Sequence, residues 1–336
     1  MALPRSFHPS AVTIEEEKLT TWYRCAPKYA RVILNLRLSQ PYQSVFMPVA
    51  RVTSAIVAII LALGMIVLGG WYFTIGMSII VYLGQLEYFQ LCRAKGIAPA
   101  AKTTLVVSQI LLIVSNLSPA LADAVMPVAG TLICFYLLFQ PKFATIADIS
   151  ASVLGLFYGG YLPSYWVRLR SLDQIAASNL PFDGFMPASF FPDLKTLPAG
   201  LTATLLAFCC IWAADIGAYV FGKLFGRIKL SAISPKKTVE GAVFGVMGSV
   251  VVGTLGSWQL AWPGFPLTGM ALGLIVGIAS LLGDLTESMM KRDAGVKDSG
   301  QLIPGHGGIL DRADSYVFTA PLVFYFVTLL LPLLPA

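Results

Sequence analysis

Between positions 284 and 314 the chain gathers six carboxylates, Asp284, Glu287, Asp293, Asp298, Asp311 and Asp314. The same stretch carries Lys291, Arg292, Lys297 and Arg312 and a glycine-rich run, Pro-Gly-His-Gly-Gly, at 304–308. A second basic segment, 222–241, supplies Lys223, Arg227, Lys229, Lys236 and Lys237 beside Glu240. These residue types suit one kind of chemistry. Carboxylate oxygens are hard donors for Mg²⁺, which is held by one or two of them plus substrate phosphates. Lys and Arg clamp phosphate oxygens, and glycine turns expose backbone amides to anions. The pattern points to phosphoryl or nucleotidyl transfer, and its setting is decided by the elements that carry it.

Those elements are membrane helices. Of 336 residues 57% are hydrophobic and 12% charged, and mean hydropathy is +0.76. Soluble domains carry about 25% charge, so this chain cannot cover a soluble surface. Disorder is excluded by the same apolarity. A pI near 9.0 does not by itself make a nucleic-acid binder, and no nucleic-acid partner is expected. The fold class is all-α, a polytopic membrane protein. Its five cysteines, Cys25, Cys92, Cys134, Cys209 and Cys210, form no CxxC pair and read as buried thiols in apolar helices. The first fifty residues lack the apolar core of a cleavable signal peptide.

About nine spans of the required length are expected, at 52–69, 71–91, 103–118, 121–140, 148–166, 199–221, 239–260, 268–283 and 316–335. The positive-inside rule tests the count. With a cytoplasmic N-terminus, 20 of the 23 Lys and Arg fall inside, leaving Arg168, Arg170 and Lys195 outside and none within a span. Three regions follow: a cytoplasmic tail (1–50), the first five spans with an outside loop (51–198), and a catalytic region (199–336) with cytoplasmic loops 222–238 and 284–315. In the tail, 20–37 mixes aromatic, aliphatic and basic residues, as an interfacial amphipathic helix or a flexible basic tail would. The loop 167–198 shows no evident chemistry.

Ionisable residues at membrane depth default to function. Asp215, well inside the sixth span, has no route to water. Asp123 lies at a span end and is expected to be solvated. Glu87 leaves three readings open: snorkelling, pairing with a basic loop residue, or a role. Small-residue ladders at Gly241, Gly245 and Gly248 and at Gly269, Gly273 and Gly277 let helices approach closely, and are compatible with a homodimer. The stretch 217–223 fits G-x-x-x-x-G-K, but Leu224 stands where a P-loop needs Ser or Thr, and no strand precedes it. A transporter would spread its charges along a midplane path with repeat symmetry. Here they gather on one face. With two histidines in the chain, a His-based zinc site is not expected.

Residues 288–314 resemble the signature of the phosphatidate cytidylyltransferases. They present Ser288, Lys291, Arg292, Lys297, Asp298, Gly300, Ile303, Pro304, His306, Gly307, Gly308, Ile309, Asp311, Arg312 and Asp314. The departure is Ala313, where a larger apolar residue or Thr is usual. Asp215, Ala218, Tyr219, Gly222, Gly226 and the run Ser-Pro-Lys-Lys-Thr-Val-Glu-Gly at 234–241 also look like the family, as do 69–73 and Glu87. The resemblance covers about 51–336. It implies CTP and phosphatidic acid as partners, CDP-diacylglycerol and pyrophosphate as products, and Mg²⁺ (or Mn²⁺) as cofactor. It favours Asp284, Asp311 and Asp314 as metal ligands. Lys291, Arg292, Lys297 and Arg312, with Lys236 and Lys237, would hold phosphates of CTP or of the lipid headgroup. His306, Gly307 and Gly308 would shape the phosphate turn. Asp215 would reach the site or pair with a lysine. A polyprenol or lipid kinase is the nearer alternative. The expected setting is a bacterial inner membrane or an organelle membrane, with the active site facing the cytoplasm.

Overall fold

The computed structural model describes residues 43–336, apart from 142, 190–191, 301, 303–306 and 335–336, with side chains from Ile56 onward. The expected amphipathic tail segment and Cys25 lie outside the described residues. The chain divides into two compact units, 1–56 and 57–336. The elements are α1 (Gln43–Leu68), α2 (Gly70–Ala94), α3 (Ala101–Leu117), α4 (Pro119–Leu138) and α5 (Ile146–Leu156). A π turn, Phe157–Tyr161, joins α5 to α6 (Leu162–Arg170), and the short α7 is Gln174–Ala177. Then come α8 (Ala199–Phe225), α9 (Val239–Gln259), α10 (Leu267–Asp293), α11 (Leu310–Val317) and α12 (Thr319–Tyr325). No strand occurs among the described residues.

Among the described residues, six helical segments are long and apolar enough to cross a membrane: Gly70–Ala94, Pro119–Leu138, Ala199–Phe225, Val239–Gln259, Leu267–Asp293 and Leu310–Leu333. Shorter apolar helices are Ile56–Leu68 and Ala101–Leu117. The chain is therefore an all-α, multi-pass membrane protein. The expected count of nine rests on the charge argument, not on these lengths.

Local signals set the helix starts. Ser118 caps α4 ahead of Pro119 in its first turn, the favoured arrangement. Thr145 and Asp148 form a reciprocal capping box on α5. Thr238 caps α9 through the Gly241 amide at 3.2 Å.

Packing of α8, α9 and α10 depends on missing side chains. A Cβ on Gly245 would lie 2.6 Å from the Ala214 carbonyl oxygen, and one on Gly273 would lie 2.5 Å from Val250 Cα. Both glycine ladders are thus consumed inside one chain, where backbones approach as small residues allow. A core of Trp166, Phe208, Ile211, Leu272, Val276 and Ala320 binds this trio to α6 and α12.

Arg168 and Arg170 require a correction. The sequence places them in an outside loop without chemistry, but both lie on α6, at 1% and 0% exposure. Arg168 pairs with the half-exposed Asp123 at 2.6 Å, so that carboxylate is not merely solvated. The guanidinium carbon of Arg168 also sits 4.2 Å from the Tyr165 ring centre, within cation–π range. Arg170 donates from Nε to the Ile66 carbonyl (2.5 Å) and from Nη2 to that of Val67 (2.8 Å). It thereby satisfies carbonyls left unpaired where α1 ends. Gly69, at φ +63°, turns the chain into α2, and any Cβ there would strike this guanidinium. Of the cysteines, Cys92 and Cys210 are buried thiols, whereas Cys134 and Cys209 are exposed on the helix surface.

Candidate active site

The loop boundaries at the site differ from expectation. The sequence ends the eighth span at 283, yet α10 runs on to Asp293, and α11 begins at Leu310. Asp284, Glu287, Ser288 and Lys291 therefore stand on a helix. Their spacing of three, four and seven residues puts them on one face. Asp311, Arg312 and Asp314 likewise belong to a helix. The reason is compositional: 284–293 contains no helix breaker, and its charges are spaced to face a partner. Basic segment 222–238 also starts within α8, which ends at Phe225. The stretch 217–223 is helical, so it forms no phosphate loop.

These elements enclose a cavity of about 880 Å³. Asp215, Tyr219 and Lys223 line it from α8, Lys236 and Lys237 from the loop before α9, and Asp284 and Lys291 from α10. Asp298 and, from α11, Asp311, Arg312 and Asp314 complete its charged wall. Five carboxylates thus face five cations.

The charges interlock. Lys237 forms an ion pair with Asp284. Lys291 Nζ lies 2.5 Å from both Glu287 Oε2 and Asp311 Oδ1. Glu287 is fully buried, so this lysine stands between a buried carboxylate and one on the cavity wall. Asp215 accepts from the Ser280 hydroxyl at 3.3 Å. The buried Asp314 accepts from the Ser315 amide at 2.7 Å. Asp311 is the most heavily engaged. Besides the Lys291 contact at Oδ1, its Oδ2 accepts from the Ser299 amide (3.0 Å) and the Gly308 amide (2.9 Å) and lies 3.0 Å from the Ser299 hydroxyl oxygen.

The loop bearing Lys236 and Lys237 is fixed by backbone pairs, Leu230 amide to Lys237 carbonyl and Val239 amide to Ile228 carbonyl, each 2.9 Å. Glu240 accepts from the Ile228 amide at 3.2 Å. It acts as a brace for the lysines.

Of the residues singled out in the sequence, Asp215, Lys236, Lys237, Asp284, Lys291, Asp311, Arg312 and Asp314 come together here. Arg292 does not line the cavity. It donates to the carbonyls of Ile233 (3.4 Å) and Val296 (3.0 Å), tying the basic loop to the end of α10. Lys297 is exposed and outside the lining. Gly307 (φ +84°) turns the chain into α11, and the Gly308 amide is spent on Asp311. His306 lies outside the described residues. Ser299 carries no signal in the sequence, Glu287 stands there only as one of six clustered carboxylates, and Glu87 is left with three readings. Glu87 is 1% exposed, so the snorkelling reading fails. Its signal was a carboxylate in an otherwise apolar segment.

The residues fit a divalent cation in a limited sense. Among the described residues no three His, Cys, Asp or Glu side chains form a ready cage. Asp215, Asp284 and Asp314 nevertheless face one cavity, and Mg²⁺ needs only one or two protein carboxylates once phosphates complete its shell. The wall is formally neutral, so a polyphosphate entering it would bring uncompensated charge.

Apolar helices around a neutral, ion-paired cavity define a multi-pass membrane protein equipped to handle phosphate groups. The sequence model of the Cytidylyltransferase family matches residues 49–330, and the chain belongs to that family. It is 65% identical over 291 residues to a phosphatidate cytidylyltransferase of Synechocystis sp., covering 86% of this chain and 99% of that one. It is 42% identical over 275 residues to phosphatidate cytidylyltransferase 4, chloroplastic, of Arabidopsis thaliana, covering 80% and 70%. The corresponding Bacillus subtilis protein is 31% identical over 288 residues, covering 83% and 97%.

Proposed function

We propose that the chain transfers the cytidylyl group of CTP to phosphatidic acid, forming CDP-diacylglycerol and pyrophosphate. Family membership at this identity, joined to a cavity walled by ion-paired lysines and carboxylates, carries the reading. A phosphate oxygen of the lipid attacks the α-phosphorus of CTP. The new P–O bond forms as the bond to the bridging oxygen breaks, and pyrophosphate leaves with that electron pair. The nucleophile is already anionic near neutral pH, so positioning and charge stabilisation carry the catalysis. Lys236, Lys237, Lys291 and Arg312 would bind the non-bridging oxygens. Entry of a phosphate beside Lys237 would loosen its pair with Asp284 and leave that carboxylate available.

Mg²⁺ (or Mn²⁺) would be held by Asp284 with Asp314, Asp215 facing the same space, and would supply charge neutralisation for the triphosphate. Asp311, engaged by Lys291 and the Ser299 and Gly308 amides, would serve chiefly to hold Lys291 and the glycine turn. The cavity would face the cytoplasm, or the equivalent organellar compartment, because the basic segments cluster on that side. A bacterial inner membrane or an organelle membrane would host the chain.

The test uses membranes containing the full chain, phosphatidic acid, Mg²⁺ and CTP labelled at either the α- or the γ-phosphate. Label from the α-position should enter lipid and label from the γ-position should leave as pyrophosphate. Lipid labelled from the γ-position would mark a kinase instead and overturn the proposal.

A further inference from the structure

Glu87 lies on α2, more than 200 positions before the residues it touches. Its Oε1 accepts from the Ile309 amide at 3.1 Å. Its Oε2 accepts from the Leu310 amide and the Ser299 hydroxyl, each at 2.9 Å. The first amides of a helix have no partner within it, and α11 receives no side-chain cap from its own N-terminal residue. One buried carboxylate from a distant helix supplies that cap.

The same contacts reach the cavity. The Ser299 hydroxyl stands within hydrogen-bonding distance of both Glu87 and Asp311, at 2.9 and 3.0 Å. Asp311 in turn holds Lys291. The turn is also shaped around this carboxylate. The three atoms nearest to a Cβ on Gly300 would all belong to Glu87, with its Cδ at 2.7 Å and its Cγ at 3.0 Å. A Cβ on Gly308 would meet Ser299 and Glu87, 2.8 Å from the Glu87 Cδ. Two glycines of the 288–314 stretch thus leave room for a residue outside it.

We propose that Glu87 is a positioning residue for cytidylyl transfer: it caps α11 from α2 and so fixes Asp311, Arg312 and Asp314 on the cavity wall. The proposal rests on the function given above. It ties the early helices, whose described residues contribute none of the cavity's charged groups, to the reacting end of the molecule. Burying a carboxylate is costly unless it is well hydrogen-bonded, and here three donors from the site itself meet that demand. Glutamine has the same shape, but its amide nitrogen would set a donor against a backbone amide.

The experiment is a set of variants in the full-length chain, each scored for folded yield, thermal midpoint, kcat and KM for CTP. In Glu87→Gln, kcat per folded molecule should fall by about a hundredfold, the loss that an ångström-scale displacement of positioned groups brings. Glu87→Asp should recover part of it. Gly300→Ala should lower kcat in the wild-type background and add nothing to Glu87→Ala, because the clash it creates is with Glu87; such non-additivity marks direct coupling. A residue that only stabilised the fold would lower the thermal midpoint and leave kcat per folded molecule unchanged. That result, or full additivity of Gly300→Ala with Glu87→Ala, would overturn the proposal. If Glu87→Gln fails to fold, Glu87→Asp and Gly300→Ala decide on the same criteria. Hydrogen exchange at the Ile309 and Leu310 amides reads the cap without turnover and should accelerate in Glu87→Asp. A wild-type chain inactive on CTP and phosphatidic acid would therefore defeat the function reading while the cap remained measurable.

Discussion

Lys291 has two duties that a small set of substitutions can separate. It neutralises Glu287, which is fully buried, and it points Asp311 and its own ammonium into the cavity, each carboxylate lying 2.5 Å from its nitrogen. Replacing it with methionine keeps the stem and removes the charge, stranding the Glu287 carboxylate. Breaking a buried pair by removing one partner costs about 3–5 kcal/mol, some two to three and a half decades in the folding equilibrium at about 1.4 kcal/mol per decade. Lys237→Met is the control. Its pair with Asp284 is partly exposed, at 25% and 32% for the two side chains, and pairs open to water are worth about 0–1 kcal/mol. Both variants lose a charged contact to phosphate, worth about 1.5–3 kcal/mol, and so about ten- to a hundredfold in kcat/KM. Denaturant unfolding in detergent and turnover of labelled CTP should then diverge. Lys291→Met loses stability and activity, and Lys237→Met loses activity alone. Adding Glu287→Gln to Lys291→Met should recover most of the stability and none of the activity. Equal stability of Lys291→Met and wild type would refute the reasoning, because Glu287 would then not depend on that charge.

Further outcomes follow from other contacts. Arg170→Met removes charge-assisted bonds to two carbonyls at the end of α1, each worth about 1.5–3 kcal/mol; the thermal midpoint should fall while KM for CTP is unchanged, since Arg170 does not line the cavity. Gly273→Leu should unseat α9 from α10, because even a Cβ there would lie 2.5 Å from Val250 Cα; the expected readout is loss of folded protein from detergent extracts. Chelation by EDTA should abolish CTP turnover and added Mg²⁺ should restore it, with Asp284→Asn shifting half-saturation to higher Mg²⁺; activity unaffected by chelation would remove the metal from the site.

Charge scarcity made the membrane character legible, and the clustering of the remaining charges made most of the cavity legible. Asp215 stood out because it is acidic in an apolar helix, and it does face the cavity. The errors have a common origin. Reading charge as the end of a span cut α10 at 283, although Asp284, Glu287, Ser288 and Lys291 keep helical spacing and belong to one face. The same habit put Arg168 and Arg170 into a loop, because the partners that make burial tolerable, Asp123 and the carbonyls of Ile66 and Val67, lie 45 to 104 residues away. The resemblance gives Arg292 a phosphate to hold, and the fold gives its guanidinium two carbonyls, which the local sequence does not reveal. Local pattern reports what a residue is able to do. Its partner, far along the chain, decides which of those things it does.

That distinction bears on why the cavity is built from helix ends. Asp284 and Lys291 ride the last three turns of α10, and Asp311, Arg312 and Asp314 the first two turns of α11. Groups held on helices reorganise less during reaction than groups on loops, and preorganised charge is the most effective way to stabilise a transition state. The reactants arrive from different phases, a nucleotide from water and a lipid from the bilayer, so neither can organise the site for the other. A wall in which two lysines are held by carboxylates meets this need: Lys237 with Asp284, and Lys291 with Asp311 and Glu287. Lys237 and Lys291 are each kept in place by a carboxylate until a phosphate competes for them. A phosphate that takes over Lys237 would leave Asp284 in the wall, so the added negative charge would call for a divalent cation, and the freed carboxylate would stand ready to hold it.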